Sequence, residues 1–199
     1  TKLFLFTISS TLTGIYLYNR FIEQTATKNN LLKDTHGQYY TWRHGNIYYT
    51  KTGHGSPILL VHDLNATASS EEWRKIIHRF EKTHTVYTLD LIGCGRSDKP
   101  AMEYTNYLYV QLLTDFVKDI IQEKTAVVAT NMSASSVLLA NHMNADLFDK
   151  IVLINPVSLK ELEILPDTKS KWKKLLIELP FIGTFIYNQM NNSKKIDEA

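Results

Sequence analysis

Residues 125–144 read TAVVATNMSASSVLLANHMN, and the fold turns on this stretch. Thr125 to Thr130 is a short apolar run rich in β-branched residues, typical of a strand buried on both faces. Ser133 to Asn144 has the composition of a helix. Only Asn131 and Met132 separate the two, so the chain must turn sharply between them. A serine at such a turn can be a nucleophile elbow. The turn lifts the hydroxyl above the sheet and aims the next backbone N–H, and the helix N-terminus, at the same point. Read as Asn131-x-Ser133-x-Ser135, the stretch places Ser133 at the corner, where a positive φ is expected. Asn tolerates positive φ and Ser is small, so the flanks are compatible. A helix cap is the competing reading. Ser133 or Asn131 would then satisfy free N–H groups of the first turn.

Outward from this point, strands and helices alternate. Gln38–Arg43 and Asn46–Thr52 are Tyr-rich runs that read as a hairpin. Ile58–His62 (ILLVH) is a continuous apolar run. Glu71–Glu81 carries Trp73, Ile76, Ile77 and Phe80 at helical spacing. Thr85–Asp90 is a further strand, Tyr104–Gln122 a long helix, and Lys150–Asn155 (KIVLIN) a last strand. This order predicts an α/β fold with a mostly parallel sheet flanked by helices, incomplete at the C-terminus. KIVLIN, apolar on both faces, would stand at or near an edge.

Two stretches tighten the reading: ILLVHDLNAT, and TLDLIGCGRSDKP with Asp90, Gly93, Gly95, Arg96 and Ser97. With the strand–elbow–helix, and in this order, they make residues 38–190 resemble the α/β-hydrolase superfamily. The resemblance implies a serine hydrolase acting on an ester or similar acyl substrate, carboxylesterase- or lipase-like, with no cofactor. It implies Ser133 as nucleophile and the N–H groups of Leu64 and Ala134 as the oxyanion hole. His62, Asp63, Asn131, Met132 and Ser135 become structural residues near the site. Asp63 stands where the family has Gly. Its carboxylate would oppose developing negative charge, so it is expected to face away from Ser133. Asp90 and Ser97 read as loop-bracing groups, and Cys94 as an unactivated thiol.

The family's triad runs Ser, acid, His. No residue after Asn155 reads as a further sheet strand. His142, the last histidine, lies more than two helical turns from Ser133. Asn155 is neutral where some relatives carry the acid. The chain is therefore expected to stop before its acid and its base, and to be inactive alone. A non-catalytic, membrane-tethered binding module on the same scaffold is the alternative, favoured by Asn131 and Ser135 standing where the family's Gly-x-Ser-x-Gly elbow has glycines, and by Asp63. A transferase or haloperoxidase-like activity of the same Ser is a further one.

Both ends differ from this core. The uncharged run from Leu3 to Tyr18, extended by Phe21 and Ile22, approaches the roughly 20 apolar residues of a spanning helix. It is read as a single-pass transmembrane anchor over 1–22, making membrane lipid a partner of residues 3–22. A linker over 23–36 leads to the hydrolase core at 37–156. Residues 157–199 read as the start of a helical lid, with helices near 168–178 and 181–190. The net charge of +2 and the lack of a basic stripe with interleaved aromatics argue against nucleic acid. No Cys or His spacing points to a metal.

Overall fold

The computed structural model describes residues 2–28, 36–65, 67–157 and 168–190. It divides into two units: Asp34–Leu162, and Thr1–Lys33 together with Glu163–Ala199.

The larger unit is built on a six-stranded sheet. Its strands are β1 (Gln38–Trp42), β2 (Gly45–Gly53), β3 (Ser56–Val61), β4 (His84–Leu89), β5 (Thr125–Thr130) and β6 (Phe148–Ile154). They lie in the order β1-β2-β4-β3-β5-β6. The first two pairings are antiparallel, and β4, β3, β5 and β6 run parallel. Between the strands come α2 (Arg74–Phe80), α3 (Asn106–Phe116) and α4 (Ser133–Met143), with α1 (Lys2–Lys28) preceding the sheet.

The alternation of β3 explains its central place. Leu59 and Val61 join one core cluster, with Leu112, Leu113 and Phe116 of α3 and Val137 and Ala140 of α4. Ile58 and Leu60 join the other, with Trp73 and the α2 residues Ile76 and Ile77. Successive strand side chains point to opposite faces, so a run without polar positions is what a doubly covered strand needs. Phe116 anchors the first cluster, with Tyr40, Tyr49 and Tyr87 edge-on around its ring. α3 starts one residue after Thr105, whose hydroxyl accepts the Leu108 N–H at 3.2 Å. It passes into a wider turn at Val117–Ile121 and ends at Gln122 in the left-handed region. Among the described residues β6 is one of the two edge strands, with Val152 and Ile154 exposed, as the reading of KIVLIN expects.

Topology marks where a site can lie. After β3 the chain moves to β4 on one side; after β5 it moves to β6 on the other. A crevice opens at the carboxyl ends of adjacent strands whose connections diverge in this way. Val61 and Ala129 are register partners across the β3–β5 pair. The residues that follow them therefore emerge side by side.

In the smaller unit, α1 is one helix of 27 residues. α5 (Thr168–Glu178) and α6 (Ile182–Met190) follow residues 158–167, which fall outside the described part. The transmembrane expectation for 1–22 finds no support. Among the described residues no helix is long and apolar enough to cross a membrane. The physical reason is dilution: Thr7, Ser9, Ser10, Thr11, Thr13 and Gly14 interrupt the apolar residues, and Asn19 and Arg20 follow. Ser10 and Thr13 do bond back to the carbonyls of Phe6 and Ser9. Asn19 is buried, donates to the Phe181 carbonyl at 2.9 Å and accepts from Asn188 at 3.2 Å. Tyr16 and Tyr18 pack edge-on against Phe181 and Phe185. The helix also continues to Lys28, into the stretch read as a linker; 29–35 lie outside the described residues.

Candidate active site

β5 ends at Thr130, and the positive-φ corner comes immediately, at Asn131 with φ 44°. Met132 is already in the helical region, at φ −69° and ψ −30°, and Ser133 is the first residue of α4. The expectation that Ser133 occupies the corner is corrected: the turn is complete two residues earlier. Ser133 is fully buried. Its Oγ donates to the Thr130 carbonyl at 2.7 Å, with the Val61 carbonyl at 3.5 Å. Ser135 bonds its own turn, at the Met132 carbonyl. Ser136 donates to Asn106 at the start of α3.

Asn131 is fastened on three sides. Its N–H donates to the Ile154 carbonyl at 3.0 Å, its carbonyl accepts from Val157 at 3.4 Å, and its Oδ1 accepts from Asn155 Nδ2 at 2.9 Å. Asn155, at the end of β6, is also in the left-handed region, with φ 48°. Two neighbouring strands are thus each followed by a left-handed asparagine, and the two side chains bond to each other.

The backbone N–H groups that converge beside this corner belong to Leu64 and Met132. The expected pair is Leu64 and Ala134; the first N–H past the corner is Met132's, and it points to the same oxygen as that of Leu64. Both groups already have an acceptor. Asp63 Oδ1 takes Leu64 N–H at 2.7 Å and Met132 N–H at 3.1 Å. The expectation that Asp63 faces away is therefore reversed. Its position one residue before Leu64 lets the side chain fold back onto the N–H that follows. Its Oδ2 accepts from Asn65 Nδ2 at 2.9 Å, and its own N–H donates to Glu72 Oε2 at 3.0 Å.

Beneath the corner lies a braced layer. His62 is fully buried. Its Nε2 accepts the Leu91 N–H at 2.9 Å, which leaves Nδ1 to donate to the Asp63 carbonyl at 2.6 Å. Burial holds its pKa below the ordinary range, against the opposing pull of the Asp63 carbonyl and the Asp90 and Glu72 charges. A neutral imidazole with one donor and one acceptor fits both bonds. Asp90, also fully buried, accepts from Ser70 N–H at 2.6 Å and from Arg96 N–H at 2.8 Å. The Arg96 guanidinium lies 3.6 Å from Asp90 and 2.8 Å from Glu71, and stacks over Tyr48. Ser97 donates to the Asp90 carbonyl at 2.5 Å and accepts from Tyr48 N–H at 2.9 Å. Gly95 turns with φ 48° where a β-carbon would collide with the Asp90 carboxylate. Burial pushes the Cys94 thiol up to about 11, so it carries no thiolate at neutral pH. Among the described residues no group of His, Cys, Asp and Glu could hold a metal ion.

Sequence reading missed Asn131 as the corner, Met132 as the donor and Glu72 as a brace. A signal for the first was present. The frame Ala129-x-Asn131-x-Ser133 also has small flanks, and its central residue tolerates positive φ.

A family model described as alpha/beta hydrolase fold matches residues 56–180. A curated relative, 2-hydroxy-6-oxo-6-(2'-aminophenyl)hexa-2,4-dienoic acid hydrolase of Metapseudomonas resinovorans, is 30% identical over 113 residues, 56% of this chain and 39% of that protein. A soluble epoxide hydrolase of Corynebacterium sp. (strain C12) is 24% identical, covering 56% of this chain and 38% of that one. The chain thus spans about two fifths of the length of these relatives. Among solved structures, an alpha/beta hydrolase fold protein from Burkholderia ambifaria superposes with a TM-score of 0.61 at 22% identity, over 72% of this chain and 53% of that one.

Proposed function

The chain belongs to the alpha/beta hydrolase fold family, and from that premise we propose that it receives a small molecule beside the Asn131 corner and holds it without acylating Ser133. The carrying observation is the corner itself. The left-handed position holds a carboxamide, while Ser133 is buried in the helix with its hydroxyl spent on the Thr130 carbonyl. An amide is not a nucleophile, and a buried hydroxyl bonded to a carbonyl cannot reach an acyl carbon. The family's small-molecule hydrolases, such as the dienoic acid hydrolase, support the ligand class.

A second reading keeps hydrolysis of an ester or similar acyl compound, by a serine carboxylesterase-like route through Ser133. The observation in its favour is that two backbone donors, those of Leu64 and Met132, still converge on one oxygen position. It requires the first turn of α4 to unwind and release Ser133. The full-length protein treated with a fluorophosphonate probe separates the two. The expected result is no labelling above that of Ser133→Ala, and no turnover of p-nitrophenyl acetate dependent on Ser133. Labelling that the Ser133→Ala substitution abolishes would establish the second reading instead.

A further inference from the structure

Two N–H groups that converge on one oxygen form an anion site. In this chain the oxygen is internal. Asp63 Oδ1 is bound by Leu64 at 2.7 Å and Met132 at 3.1 Å, both within the ordinary N–H···O range. Each neighbouring contact holds the carboxylate there. Asn65 Nδ2 fixes the second oxygen, and Asn65 Oδ1 is itself fixed by the backbone N–H and hydroxyl of Thr67, both at 3.0 Å. His62 pins the Asp63 carbonyl from below, and Glu72 takes the Asp63 N–H. Both oxygens of the carboxylate are held, the second by one donor, and each contact favours this one placement.

We propose that Asp63 is a specificity-determining residue: its carboxylate is the resident anion of the Leu64–Met132 hole and bars carboxylates and other anionic groups from the corner. The barrier has two parts. An incoming oxygen must displace one that already has both donors. It must also approach a negative charge at hydrogen-bond range, where like charges repel strongly in a partly desolvated site. Neutral ligands and ligands bearing a cation or an N–H donor meet no such barrier. The remaining acceptor capacity of the carboxylate favours them. The proposal rests on Asn131 being the corner residue, since that placement makes Met132 the second donor.

The test uses acetate as the probe and the full-length protein, with the backbone amide signals of Leu64 and Met132 followed by NMR. In the wild type, acetate across the millimolar range should leave both signals in place. In Asp63→Gly the hole is vacated, and acetate should move both signals together, with an affinity roughly tenfold or more above any wild-type binding. Asp63→Asn keeps the side-chain shape and removes the charge; it should shift both amides even without acetate and bind acetate at an intermediate level. If Asp63→Gly does not fold, Asp63→Asn decides alone. Wild-type amides that saturate with acetate as readily as those of the variants would overturn the proposal. So would a folded variant whose two amides do not respond. Labelling of Ser133 by the fluorophosphonate would sink the corner assignment instead, whatever acetate does.

Discussion

The loop after β4 and the corner after β5 meet at the same end of the sheet, yet they treat the family pattern in opposite ways. The β4 loop has Asp90, Gly93, Gly95 and Ser97 at the positions the resemblance predicts, and each residue has a bracing task. The corner has Asn131 in the left-handed position and Asp63 in the hole. The loop's residues act through backbone shape and buried hydrogen bonds, so replacing any one of them costs stability. The corner's residues would act through reactivity, and a chain can lose reactivity while keeping its fold. The scaffold and the chemistry of this site are therefore separable, and substitutions in the two regions should separate them.

The largest effect is expected at Asp90. Asp90→Ala removes the acceptor of two backbone N–H groups and leaves Arg96, whose side chain is 7% exposed, beside a vacated partner. Orphaning two N–H groups, with Arg96 left on Glu71 alone, costs about 2–5 kcal/mol. Urea unfolding should show that loss, while Asp63→Gly in the same protein should cost about 1–2 kcal/mol, because Asp63 is partly exposed and water can take the N–H groups it releases. Equal losses at the two positions would break the comparison.

His62 sharpens it along the pH axis. The buried imidazole has its pKa lowered, so below about 6.5 the unfolded chain binds a proton that the folded chain refuses. The stability tied to His62 is thus fully present above that pH and falls as pH drops, by up to about 1.4 kcal/mol per unit. His62→Gln should flatten the slope between about pH 6.5 and 5.5, measured by denaturant midpoints. An unchanged slope would mean that His62 is not held neutral.

The fold was legible because it rests on patterns that survive without neighbours. The run ILLVH is apolar on both faces, and β3 is covered on both faces. Strand β5 begins and ends where TAVVAT does. The bracing roles of His62, Asp90 and Ser97 were readable through the family resemblance, and all three bond to backbone. The corner was not. Asn131-x-Ser133-x-Ser135 and Ala129-x-Asn131-x-Ser133 fit the same letters, and only the residue at which β5 stops pairing chooses between them. The side of Asp63 was misread for a related reason: repulsion between its carboxylate and developing negative charge was weighed, and the attraction of two neighbouring N–H groups for that carboxylate was not. The terminal helix falls short of a span because its apolar run, thinned by hydroxyl residues, is closed off by Lys2 on one side and by Asn19 and Arg20 on the other.

The smallest effects discriminate most finely between the two frames of the elbow. Gly is nearly free of strain at positive φ but weakens a helix. With the corner at Asn131, Asn131→Gly relieves left-handed strain and loses one side-chain bond to Asn155, two changes that offset each other to within about 0.5 kcal/mol. Ser133→Gly has no such compensation. It places Gly at the start of α4 and deletes the bond to the Thr130 carbonyl, for a cost of about 1–2 kcal/mol. Thermal or denaturant midpoints of the two single variants should therefore fall in the order wild type and Asn131→Gly together, Ser133→Gly lower. The opposite order would place the left-handed corner at Ser133, free its hydroxyl, and return that residue to the role of nucleophile.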